Sequence, residues 1–284
     1  GQDQRAGAAV ADPVVLAGTE RVKEIFKNDP AIDKVFALSR GDLKKIFQRS
    51  TLEGIKKSLG LFIGLKKERF DAAIDFSLDH RYGLITKLLG IKKRVGFNYK
   101  KRGRFLTQKI NIDSYRNKHI IEYYLDLLQF FKIQPKTKEM EVFASRNNLN
   151  RAKSILTQVG IKEGDLVIGI APGAGASWGQ NAAYKHWPAI KYAQLADKLI
   201  DTFGAKILIL GDASERPIVD IITAAMRNKA IDLTGKISLG ELIAIIKRLG
   251  LLIANDGGPL HIAVASNIKT VSIFGPVDEA VYGP

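Results

Sequence analysis

The sequence predicts an α/β protein: two doubly wound, parallel-sheet domains facing a cleft. Three observations predict this. In the second half, short apolar runs at 166–170, 206–210, 251–254 and 270–274 alternate with amphipathic segments at 188–203, 215–227, 239–248 and 259–266. The first half repeats the theme less cleanly. With 284 residues and 46% apolar content, the chain is long enough to bury two cores.

Taken in order, the first strands are expected at 14–16, 35–38, 72–75 and 95–97, where β-branched and aromatic residues cluster. Helices are expected at 21–27, 43–65, 81–89 and 115–131, where apolar residues recur three and four apart. A polar joint over 132–150 divides the chain into domains 1–142 and 143–284. Two of the later helices have a start signal. Pro188 and Pro259 both suit a first helical turn, since a missing N–H costs nothing there.

Composition excludes several classes. No stretch of 18 apolar residues exists, and residues 1–13 lack the basic and apolar regions of a secretory signal, so a cytoplasmic protein is expected. Cysteine is absent, which removes disulfides and thiolate metal sites. The net charge of +15 is uneven: residues 1–142 carry 29 Lys or Arg against 17 Asp or Glu. From Lys92 to Lys109 there are eight basic residues and no acidic one, with Phe97, Tyr99 and Phe105 interleaved. This pattern favours an anionic partner, whether nucleic acid, acidic membrane or phosphorylated glycolipid. A solvated surface with no partner is the plain alternative.

The segment Asn255-Asp256-Gly257-Gly258-Pro259-Leu260-His261 turns the apolar run 251–254 into a helix whose start is shaped for an anion. Asp256 occupies the expected cap position, and Gly257 and Gly258 allow close backbone approach. Unpaired amides and the helix dipole there attract phosphate without a cation. An ordinary capped helix is the competing reading. After residue 170 comes a small-residue loop from Ala171 through Gly173 to Gly179. It fails the dinucleotide fingerprint because its third glycine is displaced, and it lacks the Lys and Ser or Thr of a P-loop. Lys185, just before Trp187-Pro188, is placed to offer a point charge to phosphate. Trp187 reads as a core anchor and His186 as structural.

These residues closely resemble glycosyltransferase family 9, the ADP-heptose to lipopolysaccharide heptosyltransferases. The resemblance runs through Ala171-Pro172-Gly173-Ala174, Lys185-His186-Trp187-Pro188, Gly211-Asp212 with Glu215, Leu233-Thr234-Gly235-Lys236, Asn255 to Ala263 and Phe274-Gly275-Pro276. It implies a GT-B fold, an ADP-sugar donor held by the second domain, and inversion at the anomeric carbon. Lys185 would contact the diphosphate or sugar, Glu215 the ribose, and Asp256, Gly257, Gly258 and His261 the diphosphate and heptose, beside Gly173. Lys185 and Asp256 are the catalytic candidates. Growing charge on the leaving ADP is the main thing to stabilise, and no Asp-x-Asp pair is present to hold a divalent cation. Metal-independent transfer without a cofactor is therefore expected.

The first half would hold an anionic glycolipid acceptor through Arg81 and Lys92, Lys93 and Arg94, and its positive field would draw the protein to the inner face of an anionic membrane. A surface ion pair is the competing reading of Arg81. Family members begin with a strand, a Ser-x-x-Gly-Asp type loop and a helix, the Asp serving as general base. Here that opening is missing, so the chain reads as truncated at both ends. Ser39-Arg40-Gly41-Asp42 mimics the loop out of order, which leaves Asp42 a weak candidate for the base and the base itself unassigned. Two alternatives stand beside the transferase: a catalytically silent sugar-nucleotide binder, and a basic nucleic-acid-binding module. The second leaves the phosphate-shaped turns without purpose.

Overall fold

The computed structural model describes residues 13–37, 46, 48–173 and 184–284. By packing, the chain divides into two units, residues 1–65 and 66–284.

In the first unit, β1 (Val15–Gly18) and β2 (Lys34–Ala37) pair in parallel, with Val15 opposite Lys34 and Gly18 opposite Ala37. The helix α1 (Glu20–Phe26) makes the crossover between them. Then comes α2 (Thr51–Lys67). The helix expected over 43–65 is interrupted at Ser50, which is not helical and whose hydroxyl accepts the Glu53 N–H at 3.3 Å. A serine that satisfies a first-turn amide starts a helix better than it continues one. Residues 43–45 and 47 of that expected helix lie outside the described residues.

The second unit contains two all-parallel sheets. The smaller has the order β3 (Ala72–Asp75), β4 (Lys93–Tyr99), β5 (Gln108–Ile112), and the larger has the order β10-β9-β6-β7-β8. Its members are β6 (Val167–Ala171), β7 (Lys206–Ile209), β8 (Ile231–Asp232), β9 (Leu251–Asn255) and β10 (Thr270–Ile273). The helices are α3 (His80–Leu88), α4 (Ile120–Asp126), α5 (Arg146–Gln158), α6 (Ala189–Phe203), α7 (Arg216–Ala225), α8 (Leu239–Ile246), α9 (Gly258–Ala265) and α10 (Glu279–Tyr282). The central strand β6 is buried along its whole length, as expected of a parallel strand covered on both faces. Ile170, Ile207, Ile209, Val219, Ile222 and Tyr192 form its core against α6 and α7.

Four further elements depart from the sequence reading. The helix expected over 115–131 begins only at Ile120, because the His119 imidazole takes the Ile121 N–H at 3.2 Å as a cap; it tightens into a 3-10 turn over Leu127–Phe131. The joint expected over 132–150 contains the start of α5, capped by the Ser145 hydroxyl on the Asn148 N–H. Strands β5 and β8 were not expected at all. β5 follows β4 through only residues 100–107, although a parallel connection usually takes a dozen residues or more. The short path turns sharply, with Lys100 and Lys101 both left-handed at φ 48° and 60°. Arg94 then clamps the returning chain: its Nε donates to the Phe105 carbonyl at 2.8 Å, while its backbone N–H donates to the Thr107 hydroxyl at 2.8 Å.

Candidate active site at the carboxyl ends of the large sheet

The carboxyl ends of β6, β7, β8 and β9 bring together the loops that the sequence singles out. Asn255, the last residue of β9 and 1% exposed, organises them. Its Nδ2 donates to the Pro172 carbonyl at 2.5 Å; its Oδ1 accepts from the Tyr192 hydroxyl at 2.8 Å and from the Trp187 N–H at 3.3 Å. One amide thus fixes the exit of β6, the approach to α6 and the end of β9. Sequence reasoning quoted Asn255 but gave it no task. Its signal was a polar residue ending a buried strand, where only a fully bonded side chain is tolerated. Trp187 meets Tyr192 edge-on at 5.0 Å and packs on the core, in line with its reading as an anchor.

Asp256 follows, and here the structure corrects the sequence reading. It does not cap α9. The cap position is Gly257, fully extended at φ −177°, with no side-chain cap. The Asp256 carboxylate is instead buried and paired with Lys185, Nζ to Oδ2 at 2.5 Å. A second buried charge at hydrogen-bond distance outcompetes a backbone N–H for a carboxylate, since an ammonium left alone in that place would be far more costly. The backbone of Lys185 is itself held close. A methyl at Gly275 would sit 2.6 Å from the Tyr184 carbonyl, so the loop leaving β10 passes flush against residues 184–185.

His261, one turn into α9, brings Nε2 to 3.7 Å from the other Asp256 oxygen. Burial pushes its imidazole below the ordinary histidine value. The Asp256 carboxylate opposes that shift, and the positive charge of Lys185 adds to it. The neutral ring is therefore the resting form at pH 7. Beside Gly257, a side chain added at Gly258 would meet nothing within 4 Å among the described residues, which leave the start of α9 open.

Across from this group, Glu215 lies over the end of β6. A methyl at Gly173 would fall 1.5 Å from the Glu215 Oε1, so only glycine admits the carboxylate there. The other oxygen, Oε2, accepts the Asp212 N–H at 3.0 Å within a reciprocal capping box whose other half is the Asp212 side chain on the Glu215 N–H; the same Asp212 carboxylate also accepts the Ser214 N–H at 2.7 Å. Glu215 thus serves the helix start through Oε2. The remainder of the loop after Gly173, from residue 174 to 183, lies outside the described residues, as does Asp42. Among the described residues, no group of three His, Asp or Glu side chains converges to hold a metal ion.

The small sheet presents a different surface. Asp79 caps α3 by accepting the Arg81 N–H at 3.1 Å, and the Arg81 guanidinium folds back on the same carboxylate, Nε to Oδ2 at 2.9 Å. Lys93 donates to the Phe130 carbonyl at 2.6 Å and lies 4.0 Å over the Phe131 ring. Arg94 is the clamp already described, whereas Lys92 is exposed. Of the interleaved aromatics, Phe97 is core, 2% exposed.

Two sequence-silent residues connect the sheets. The His119 Nε2 lies 2.9 Å from the Gly283 carbonyl, and Tyr282, beside it, has its phenol pushed up by burial and by the Asp256 charge. Tyr282 in turn influences Tyr124, which packs edge-on against Phe76 at the end of β3, 5.2 Å away.

Comparison with known proteins gives the family and the fold. Residues 59–284 match the sequence profile of glycosyltransferase family 9 (heptosyltransferase). The chain is 27% identical over 274 residues to lipopolysaccharide heptosyltransferase 1 of Campylobacter coli, spanning 90% of this chain and 73% of that protein. It is 24% identical to lipopolysaccharide heptosyltransferase 2 of Escherichia coli K12, over 78% of this chain and 64% of that one. Among solved structures, a glycosyl transferase family 9 protein from Veillonella parvula DSM 2008 superposes with a TM-score of 0.80 at 21% identity, covering 96% of this chain and 75% of that one. E. coli heptosyltransferase WaaC with ADP superposes with a TM-score of 0.70 at 16% identity, covering 94% and 79%. The parallel α/β architecture is that of the GT-B heptosyltransferases, and the chain belongs to glycosyltransferase family 9, the heptosyltransferases.

Proposed function

We propose that this glycosyltransferase moves heptose from ADP-heptose to the inner core of lipopolysaccharide, with inversion and without a metal ion. The observation that carries the proposal is the grouping of Lys185, Asp256 and His261 around the open start of α9. The curated relatives are lipopolysaccharide heptosyltransferases, and two similar solved structures hold ADP or an ADP-fluoroheptose.

Expulsion of ADP places new negative charge on the diphosphate as the anomeric bond breaks. A buried ammonium and the positive end of a helix stabilise that charge more strongly than water does, because they are already oriented and need not reorganise. Asp256 fixes the ammonium at the helix start. His261, kept neutral, can hydrogen-bond sugar or phosphate without adding a fixed charge. Glu215 beside Gly173 is suited to the ribose hydroxyls, which donate to a carboxylate. The absence of an Asp-x-Asp pair from the sequence supports cation-free transfer.

The test is incubation of the purified protein with ADP-heptose and a heptose-free inner-core acceptor in excess EDTA, with the product read by mass spectrometry and its anomeric configuration by NMR. One added heptose, inverted, is expected. Donor binding without any product would favour a silent ADP-sugar binder. Salt-sensitive oligonucleotide binding that ADP-heptose does not displace would favour a nucleic-acid module.

A further inference from the structure

The helix α2 has two apolar faces, and the described residues cover only one. Gly54 is buried and Leu61, Phe62 and Leu65 are half-buried on the inner face, where a methyl at Gly64 would come within 3.3 Å of the Phe36 ring on β2. On the other face Leu52, Ile55, Leu59 and Ile63, spaced by three and four, are 78%, 52%, 54% and 45% exposed. Four large aliphatic side chains in one stripe differ from the scattered apolar residues of an ordinary surface, and such a stripe marks a binding surface.

The flanking charge identifies what binds. Lys56, Lys57, Lys66 and Lys67 are all exposed, and Glu53 is the only acidic residue in the helix. On the helical projection Lys56 and Lys67 border one edge of the stripe, and Lys66 continues it at its C-terminal end. An apolar stripe edged by lysines matches the boundary of an anionic bilayer: acyl chains take the aliphatic side chains, and lipid phosphates meet the ammonium groups, with the lysine stems reaching outward. At 17 residues the helix is about 25 Å long. No helix among the described residues is long and apolar enough to cross a membrane. The helix therefore lies on the surface instead of spanning it.

We infer that α2 is a membrane-docking helix that inserts Leu52, Ile55, Leu59 and Ile63 into the interface of an anionic phospholipid bilayer. This goes beyond attraction by the general positive field of the first half. A field acts at a distance and disappears in salt, whereas an inserted stripe retains an apolar contribution that salt does not screen. The inference uses no residue of the ADP-sugar site.

The experiment is co-sedimentation of the whole chain with vesicles of phosphatidylglycerol and phosphatidylcholine, at 50 and 500 mM salt. Vesicles of phosphatidylcholine alone, and the variants L59E/I63E and K66E/K67E, complete the set. ADP calorimetry and thermal melting on each protein report folding and donor binding separately, so that a failure of the donor reading is not mistaken for a failure here. The expected result is binding to anionic vesicles that partly survives high salt, and that weakens more than about tenfold in L59E/I63E, the order expected for losing two inserted aliphatic side chains. Weaker binding in K66E/K67E and on neutral vesicles is also expected. Binding of L59E/I63E equal to the parent, or complete release by salt, would overturn the insertion. So would absence of vesicle binding accompanied by self-association that L59E/I63E abolishes, since a second copy would then be the occupant.

Discussion

The cations at the ends of the two sheets in the second unit do opposite work. At the large sheet, Lys185 is buried and paired with a buried carboxylate at the opening of a helix. At the small sheet, Lys93 and Arg94 hold backbone carbonyls, and Arg81 grips Asp79 with 61% of its own side chain exposed. A formal charge count treats all four alike. What separates them is solvation: a buried ammonium must have a partner, and any ligand that reaches it meets a charge little screened by water. The exposed and carbonyl-bound cations contribute mainly to shape and to a diffuse field.

That contrast can be broken most forcefully at Lys185. Lys185→Ala leaves Asp256 buried without its ammonium, and should cost about 3–5 kcal/mol of stability, the usual range for breaking a buried pair. Turnover should fall about a hundredfold or more, as when one preorganised charge partner is lost. Urea denaturation and product formation check the two separately. Replacing both partners, as Lys185→Met with Asp256→Leu, should restore most of the stability without restoring turnover. Recovery of turnover would remove the pair from the mechanism.

A smaller effect is expected at Gly173→Ala. The new methyl displaces the Glu215 carboxylate, and ADP affinity should drop about tenfold, the worth of one hydrogen bond to a charged group. Unchanged affinity by calorimetry would leave Glu215 with its capping role alone.

Histidine protonation gives the next effect. Since the folded protein holds His261 below the ordinary value of 6.5, the unfolded chain takes up its proton first as pH falls. Stability should therefore be full above pH 6.5 and decline as pH falls from there through the lowered folded value. His261→Gln should flatten that slope in urea midpoints measured from pH 8 to 5. The smallest effect belongs to Arg81→Ala. The arginine is exposed and its pair well solvated, so stability should change little. ADP affinity should not change, and a loss of donor binding would show that the two sides of the unit are less distinct than their burial suggests.

Much of this was legible in the sequence because apolar period and helix-start chemistry are local. Strands β6, β7, β9 and β10 and helices α6, α8 and α9 fall within two residues of their expected limits for that reason. The strand β5 was hidden because Gln108, Lys109 and Asn111 interrupt its apolar residues, and because so short a parallel crossover is rare. The site divides the same way. That Lys185 and the segment 255–261 belong together was readable from residue types after strands. That Asp256 prefers an ammonium 71 residues away to the amide next door was not, since that choice depends on burial created by the fold. Asn255, His119 and Tyr282 act through partners far away in sequence, which no local pattern reports.

The most direct measurement is calorimetric titration of ADP into the parent protein and into the folded Lys185→Met/Asp256→Leu double variant. Saturable heat with the parent and none with the double variant is the predicted result. No heat with the parent, or equal affinity in both proteins, would contradict a diphosphate grip built from a buried ammonium at the start of α9.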